Sequence, residues 1–132
     1  MSEEKKQYKI TIVDDDDFLV NMYATKFSGS GVSVDVCKTG ESLLEKLTAG
    51  TKFDLILLDI VMPNMDGVEV LRKMREQKLG EGIPVVMLTN QNNEKDINET
   101  QKLGVSCYIV KAAATPSEVV KEVLNVLRKS QV

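Results

Sequence analysis

Histidine and tryptophan are absent from this chain. Without histidine, the usual general base and the commonest metal ligand are missing. Any bound metal must then be a hard ion held by oxygen. Cysteine occurs only twice, as Cys37 and Cys107, with no Cys-x-x-Cys spacing. Both lie in apolar, strand-like segments, which marks them as small buried thiols and not as a disulfide or a metal site. No apolar run approaches the ~20 residues of a membrane span. The start, Met1 to Gln7, is charged and lacks the apolar stretch of a signal peptide. A strong excess of one charge is also missing: 17 Lys and Arg stand against 20 Asp and Glu, a formal charge of −3. Nucleic acid and anionic membrane surfaces both need a basic patch, so neither is expected as a direct partner. These absences point to a cytoplasmic protein in a reducing compartment.

What is present is a regular alternation. A length of 132 residues suits one domain with one core. Residues 1–7 read as a frayed polar leader, 8–128 as the domain and 129–132 as a tail. Strand one is Lys9 to Val13, and helix one carries Phe18, Leu19, Met22, Tyr23 and Phe27 at helical spacing until Gly29 and Gly31. Strand two, Val32 to Cys37, alternates apolar and polar residues as an edge strand does. Thr39 caps helix two, whose stripe is Leu43, Leu44 and Leu47 before Gly50. Strand three is Leu55 to Leu58, four uninterrupted apolar residues ending in Asp59, the pattern of a strand covered on both faces. Met62-Pro63 and Asp66-Gly67 mark a loop, with Asp66 as N-cap of helix three (Val68, Leu71, Met74).

Strand four is Val85 to Leu88, closed by Thr89-Asn90. Helix four, over 92–103, has few apolar positions, mainly Ile97 and Leu103. Strand five is Cys107 to Val110, ending at Lys111. Thr115-Pro116-Ser117-Glu118 is a capping box with proline at the first helical position, and helix five shows Val119, Val120, Val123, Leu124 and Leu127. No internal linker, repeat or low-complexity segment interrupts this order. The fold class is therefore α/β: a doubly wound five-stranded parallel sheet with five helices, flavodoxin-like. The expected strand order, 2-1-3-4-5, is the one common to that fold type, since the residue pattern by itself leaves the order open.

In such a sheet the ligand site lies beyond the carboxyl ends of the strands, at the switch point between strands one and three. Strand one ends in Asp14 and Asp15, strand three in Asp59, strand four in Thr89 and strand five in Lys111. Three carboxylates at one edge repel each other at about 4 kcal/mol per pair for an effective dielectric of 20 and 4 Å. A small all-oxygen site suits Mg²⁺, and an aspartate carboxylate is an established phosphoryl acceptor. Lys111 supplies a mobile point charge for phosphate oxygens, and Thr89 a hydrogen bond. Taken singly, each of these residues is a weak signal, and a lone acid at a strand end such as Asp59 reads more readily as a loop residue. It is their joint arrival at the strand ends that makes the pattern specific.

With these residues in place, the chain resembles a receiver domain of the response-regulator family over residues 8–128. The resemblance rests on Ile12-Val13-Asp14-Asp15, Leu57-Leu58-Asp59-Ile60-Val61-Met62-Pro63 with Asp66-Gly67, Val86-Met87-Leu88-Thr89, and Tyr108-Ile109-Val110-Lys111. It implies that Asp59 is the phosphoacceptor. It implies that Asp15, Asp59 and the Val61 carbonyl bind Mg²⁺, with Asp14 helping through water and Mn²⁺ able to substitute. Thr89 and Tyr108 would form a switch pair, and Lys111 would hold the phosphate. A sensor histidine kinase or histidine phosphotransfer protein would supply the phosphoryl group. The domain would not be an enzyme in its own right, although it assists its own phosphorylation and dephosphorylation. Thr89 drawn to the phosphate leaves room for the Tyr108 ring to turn inward. That changes the helix 4–strand 5–helix 5 face, where a downstream protein target would bind. The oligomeric expectation is a monomer or a weak, phosphorylation-dependent dimer. Since no output module follows helix five, the output is expected to pass through another protein.

Three departures stand out against the resemblance. Ala112 follows Lys111 where proline across a cis bond is usual. A cis bond before alanine costs ~3 kcal/mol, and holding Lys111 against the carboxylates supplies a similar amount. The expectation taken here is cis, with a trans bond and an outward-relaxed Ala112–Ala114 run as the alternative. Asn90 is bulkier than the small residue common after the threonine, and Asp17 stands where proline is common. Rival functions are a phosphorylation-independent binding or dimerisation module on the same fold, an aspartate-nucleophile phosphatase and a flavin carrier. The phosphatase would need a second acid at position 61, which is Val61, and the acidic run Asp14 to Asp17 would repel a flavin phosphate.

Overall fold

The computed structural model describes residues 7–89 and 94–129. Five strands and five helices alternate along it. The strands are β1 (Lys9–Val13), β2 (Ser33–Cys37), β3 (Leu55–Asp59), β4 (Val85–Thr89) and β5 (Cys107–Val110). The helices are α1 (Asp17–Gly29), α2 (Gly40–Thr48), α3 (Gly67–Glu76), α4 (Glu94–Lys102) and α5 (Pro116–Lys129). All pairings are parallel, in the order β2-β1-β3-β4-β5. β3 sits in the middle, and every residue from Leu55 to Asp59 is buried, as its unbroken apolar run requires.

The period-two alternation of the strands divides the core into two layers. Ile10, Ile12, Leu55, Leu57, Val86, Leu88 and Ile109 face α1 and α5, where Phe27, Val119, Val123 and Leu127 meet them. Val13, Ile56, Leu58, Val85 and Met87 face the other way, against Leu43, Leu47, Leu71 and Met74 of α2 and α3. One such layer lies on each face of the sheet.

Local chemistry sets the helix ends. Asp16 accepts from the backbone of Phe18 and Leu19, and Thr39 and Asp66 cap α2 and α3 in the same way. At α5 the capping box closes reciprocally: Thr115 N–H donates to Glu118 Oε1 at 2.8 Å, and Glu118 N–H to Thr115 Oγ1 at 3.1 Å. Only Thr100 is buried on α4. Its C-terminal end is instead clasped from α3, where Arg75 donates to the carbonyls of Leu103 (2.7 Å) and Gly104 (2.9 Å). Arg72 pairs with Glu99 beside it.

Two expectations need correction. The Lys111–Ala112 peptide is trans, as are all the peptide bonds among the described residues. The chain leaves β5 through a single 3-10 turn, Lys111–Ala113, in which Ala114 N–H meets the Lys111 carbonyl at 3.3 Å. This turn brings Lys111 back over the sheet edge without the ~3 kcal/mol that a cis bond before alanine costs. Second, Cys107 is half-exposed, not buried, because β5 is an edge strand; Cys37 at the opposite edge is fully buried beneath α2. Both thiols are free, and the whole width of the sheet separates them. Asn90 and the first residues of the expected helix four, 92 and 93, lie outside the described residues.

Candidate functional site

The carboxyl edge of the sheet brings together four of the residues singled out in the sequence. Asp14 follows β1, and its N–H donates to the Cys37 carbonyl at 3.0 Å, so the β1–β2 ladder carries it to the edge. Asp59 is the last residue of β3. Alternation puts Asp14 in phase with Ile10 and Ile12, and Asp59 in phase with Leu55 and Leu57, so both emerge on the α1/α5 side of the sheet. Lys111 arrives there from the turn after β5. Its Nζ lies 3.2 Å from Asp14 Oδ2 and 3.2 Å from Asp59 Oδ1. Asp14 and Asp59 are 1 % and 3 % exposed. Asp15, one residue further on, is exposed.

One carboxylate oxygen each of Asp14, Asp15 and Asp59 lies within 4.8 Å of the other two. A single ammonium therefore faces three carboxylates, and the charge does not balance. The hydrogen bonds are uneven as well. Asp14 uses both oxygens, one on Lys111 and the other on the Asp16 N–H at 3.0 Å. Asp59 Oδ1 is buried and has no hydrogen bond of good geometry, only the ion pair with Lys111. Burial, and next the charge of Asp14, push the Asp59 carboxyl up to about 7, while Lys111 pulls it the other way. Burial works against the Lys111 ammonium, but the charges of Asp59 and Asp14 outweigh it and hold its pKa above the ordinary value.

The loop after Asp59 is shaped by one glycine. Gly67 N–H donates to the Ile60 carbonyl at 2.8 Å, so the first residue of α3 packs directly on the end of β3. A Cβ at position 67 would come within 2.3 Å of the Asp59 carbonyl oxygen. Pro63 and Asn64 complete the turn, Asn64 in the left-handed region at φ 71°. The Val61 side chain is 61 % exposed at the start of this loop.

Thr89 ends β4 and is 3 % exposed. It emerges on the α2/α3 side of the sheet, in phase with Met87, and pairs with Val110 in the ladder. Tyr108 is in register with Met87 on the same side. Its hydroxyl is buried and lacks a well-formed hydrogen bond. Burial pushes this phenol up, Thr89 nearby pulls it back and Asp96 of α4 pushes it up further. Thr89 and Tyr108 are thus neighbours, one layer away from Asp14 and Lys111.

Residues 10–124 match the family described as the response regulator receiver domain. The chain belongs to that family. Among curated relatives, this receiver domain is 36 % identical to the alkaline phosphatase synthesis transcriptional regulatory protein PhoP of Bacillus subtilis. That match spans 94 % of this chain and 50 % of PhoP. The transcriptional regulatory protein ResD of the same organism is 32 % identical, over 97 % of this chain and 51 % of its own. The chain thus spans about half the length of these relatives. Among solved structures, the CheY-like response regulator receiver domain protein from Methanospirillum hungatei superposes with a TM-score of 0.85 at 25 % identity, covering 96 % of this chain and 98 % of that one. The phosphorylated cyanobacterial phytochrome response regulator RcpA gives 0.78 at 29 % identity, over 92 % and 91 %.

Three features of the site escaped the sequence reading. Asp16, read only as part of an acidic run, is the cap of α1. Asp17 does not add an uncompensated charge beside the site, since Lys38 pairs with it at 3.1 Å. Tyr23, read as ordinary core, is buried on α1 within electrostatic reach of Lys111, Asp14 and Asp59. Neither the helical period of α1 nor the spacing of the acids carries a signal for that proximity.

Proposed function

We propose that this receiver domain takes a phosphoryl group onto Asp59 from a sensor histidine kinase or a histidine phosphotransfer protein, and passes the signal to a downstream protein. The observation that carries this reading is the state of Asp59. It is a buried carboxylate with an oxygen short of hydrogen bonds, flanked by a second buried acid and a lysine.

The donor set fits a divalent cation. It is all oxygen, its charge is uncompensated by Lys111 alone, and Asp59 Oδ1 has no well-formed hydrogen bond, only the ion pair with Lys111. Mg²⁺ suits such a set, with Mn²⁺ as a substitute. Asp15, Asp59 and the Val61 carbonyl would hold it, with Asp14 acting through water because both of its oxygens are engaged. When bound, the cation offsets the negative charge of the carboxylates and the incoming phosphoryl group.

This chain's own residues supply the remainder. An Asp59 carboxylate oxygen forms the bond to phosphorus as the donor's phosphorus–nitrogen bond breaks, and the electron pair leaves with the imidazole, which takes up a proton. Lys111, already between Asp14 and Asp59, turns its ammonium to a phosphoryl oxygen. Thr89 donates its hydroxyl to another. Displacement of Thr89 toward the phosphoryl group alters the surroundings of the Tyr108 hydroxyl, and the α4–β5–α5 face is the readout. Helix α4 suits a movable element, since little of it is buried.

Incubation with acetyl phosphate tests the assignment. Uptake of one phosphoryl group is expected with Mg²⁺ or Mn²⁺ and none in chelator. Asp59→Asn should abolish it, and labelling of that variant at the wild-type rate would overturn the proposal.

A further inference from the structure

Between the C-terminal half of α1 and the outer side of α5 runs a groove of about 480 Å³. Its floor is Val120 and Leu124, and its walls carry Lys26, Lys121 and Arg128. Below Arg128 it continues as a second hollow past Gly31 and Val32. Lys26 and Arg128 lie in the last turns of α1 and α5. In a parallel sheet those turns are at the end opposite the phosphoryl site, so the Asp59 chemistry does not use this groove.

The charge distribution there is one-sided. The chain as a whole is −3, yet no carboxylate lines the groove among the described residues. The nearby acids are turned elsewhere. Glu118 folds back onto Thr115 in the capping box, beyond ion-pair distance of Lys121 although it still feels that charge. Glu122 faces Cys107 on the far side of α5, and Asp17 pairs with Lys38 toward β2. Among the described residues, no carboxylate lies within ion-pair distance of Lys26, Lys121 or Arg128. Cations in a last helical turn complement the helix dipole, which accounts for Lys26 and Arg128 singly. Lys121 is in the first half of α5, where that explanation fails.

Along α5 the order is Lys121, Leu124, Arg128, a cation, an apolar residue and a cation spread over two helical turns, about 10 Å. A facing helix with two acids two turns apart and an apolar residue between them matches this ladder in spacing and charge. We propose that the α1–α5 groove docks an acidic amphipathic helix of a partner protein. Nucleic acid fits less well, because the cations flank an apolar floor in a short groove and the chain as a whole carries −3.

The test is a titration of ¹⁵N-labelled full chain with a stapled peptide helix carrying two glutamates two turns apart and a leucine between them. The expected result is chemical-shift change centred on Lys26, Lys121, Leu124 and Arg128. The Lys121→Glu/Arg128→Glu double variant should bind about tenfold more weakly, and a peptide with both glutamates changed to glutamine should behave like that variant's complex. Both α5 residues are exposed, so the variant's amide dispersion should stay native. Asp59→Asn should bind as wild type does, which separates this claim from the phosphoryl assignment. Absence of binding, shifts centred on another face, or equal affinity in the double variant would each overturn the proposal. So would tighter binding of duplex DNA to the same residues, or self-association of the chain through this groove.

Discussion

Gly67 and the Asp59 carbonyl are so close that a methyl group at position 67 would sit 2.3 Å from that oxygen. The obstruction is backbone on both sides, including Ile60 Cα at 2.9 Å, and no flexible side chain is there to give way. Gly67→Ala must therefore push the start of α3 off the end of β3. A loss of about 1–3 kcal/mol is expected from such overpacking, read by urea denaturation, together with slower phosphoryl uptake because the loop after Asp59 shifts. An alanine variant as stable and as quickly labelled as wild type would remove the basis for this contact.

The raised pKa of Asp59 has a stability consequence in the absence of divalent cation. In the unfolded chain the carboxyl titrates near 3.8, and in the folded one at about 7. Between those values the folded state holds a proton that the unfolded state has released. This group's contribution is therefore fully present below the unfolded pKa and is lost as pH rises toward the folded value. The loss is on the order of 4 kcal/mol. Asp59→Asn carries no such proton, so in chelator it should be more stable than wild type at about pH 8, with the gap closing toward about pH 4. Denaturation at both pH values checks this; a variant less stable than wild type at the higher pH would contradict it.

Lys111 reaches its two aspartates through a trans 3-10 turn. A proline at 112 disfavours the helical backbone that Lys111 adopts in that turn. Ala112→Pro is thus expected to lower the thermal midpoint and to slow phosphoryl uptake together. Calorimetry and acetyl phosphate labelling on the same sample would measure both, and an unchanged or higher midpoint with full labelling would show that the turn is not needed.

The same segment marks the limit of what the sequence could tell. β3 was legible because four apolar residues ending in an acid have few other uses in an alternating chain, and Asp59 came with it. Asp14, Thr89 and Lys111 followed from strand ends alone. The capping residues Thr39, Asp66 and Thr115 were legible because a cap is a local interaction. The Lys111–Ala112 geometry was not, since two opposed effects of about 3 kcal/mol left it undecided. Cys107 was misjudged because burial of an edge strand depends on what covers it, which no local pattern encodes. The close approach at Gly67 and the nearness of Tyr23 to the acids arise from helix-to-sheet packing. Neither follows from a helical or strand period, so spacing could not reveal them.

The central claim is that Asp59 is the group that becomes phosphorylated. An aspartyl phosphate is reduced by borohydride to homoserine, so labelling with acetyl phosphate and Mg²⁺, reduction and peptide mass spectrometry locate it directly. Homoserine at position 59, and at no other acid, is the predicted result. Homoserine at Asp14, Asp15 or Asp66, or a phosphate that survives reduction on a serine or threonine, would contradict it.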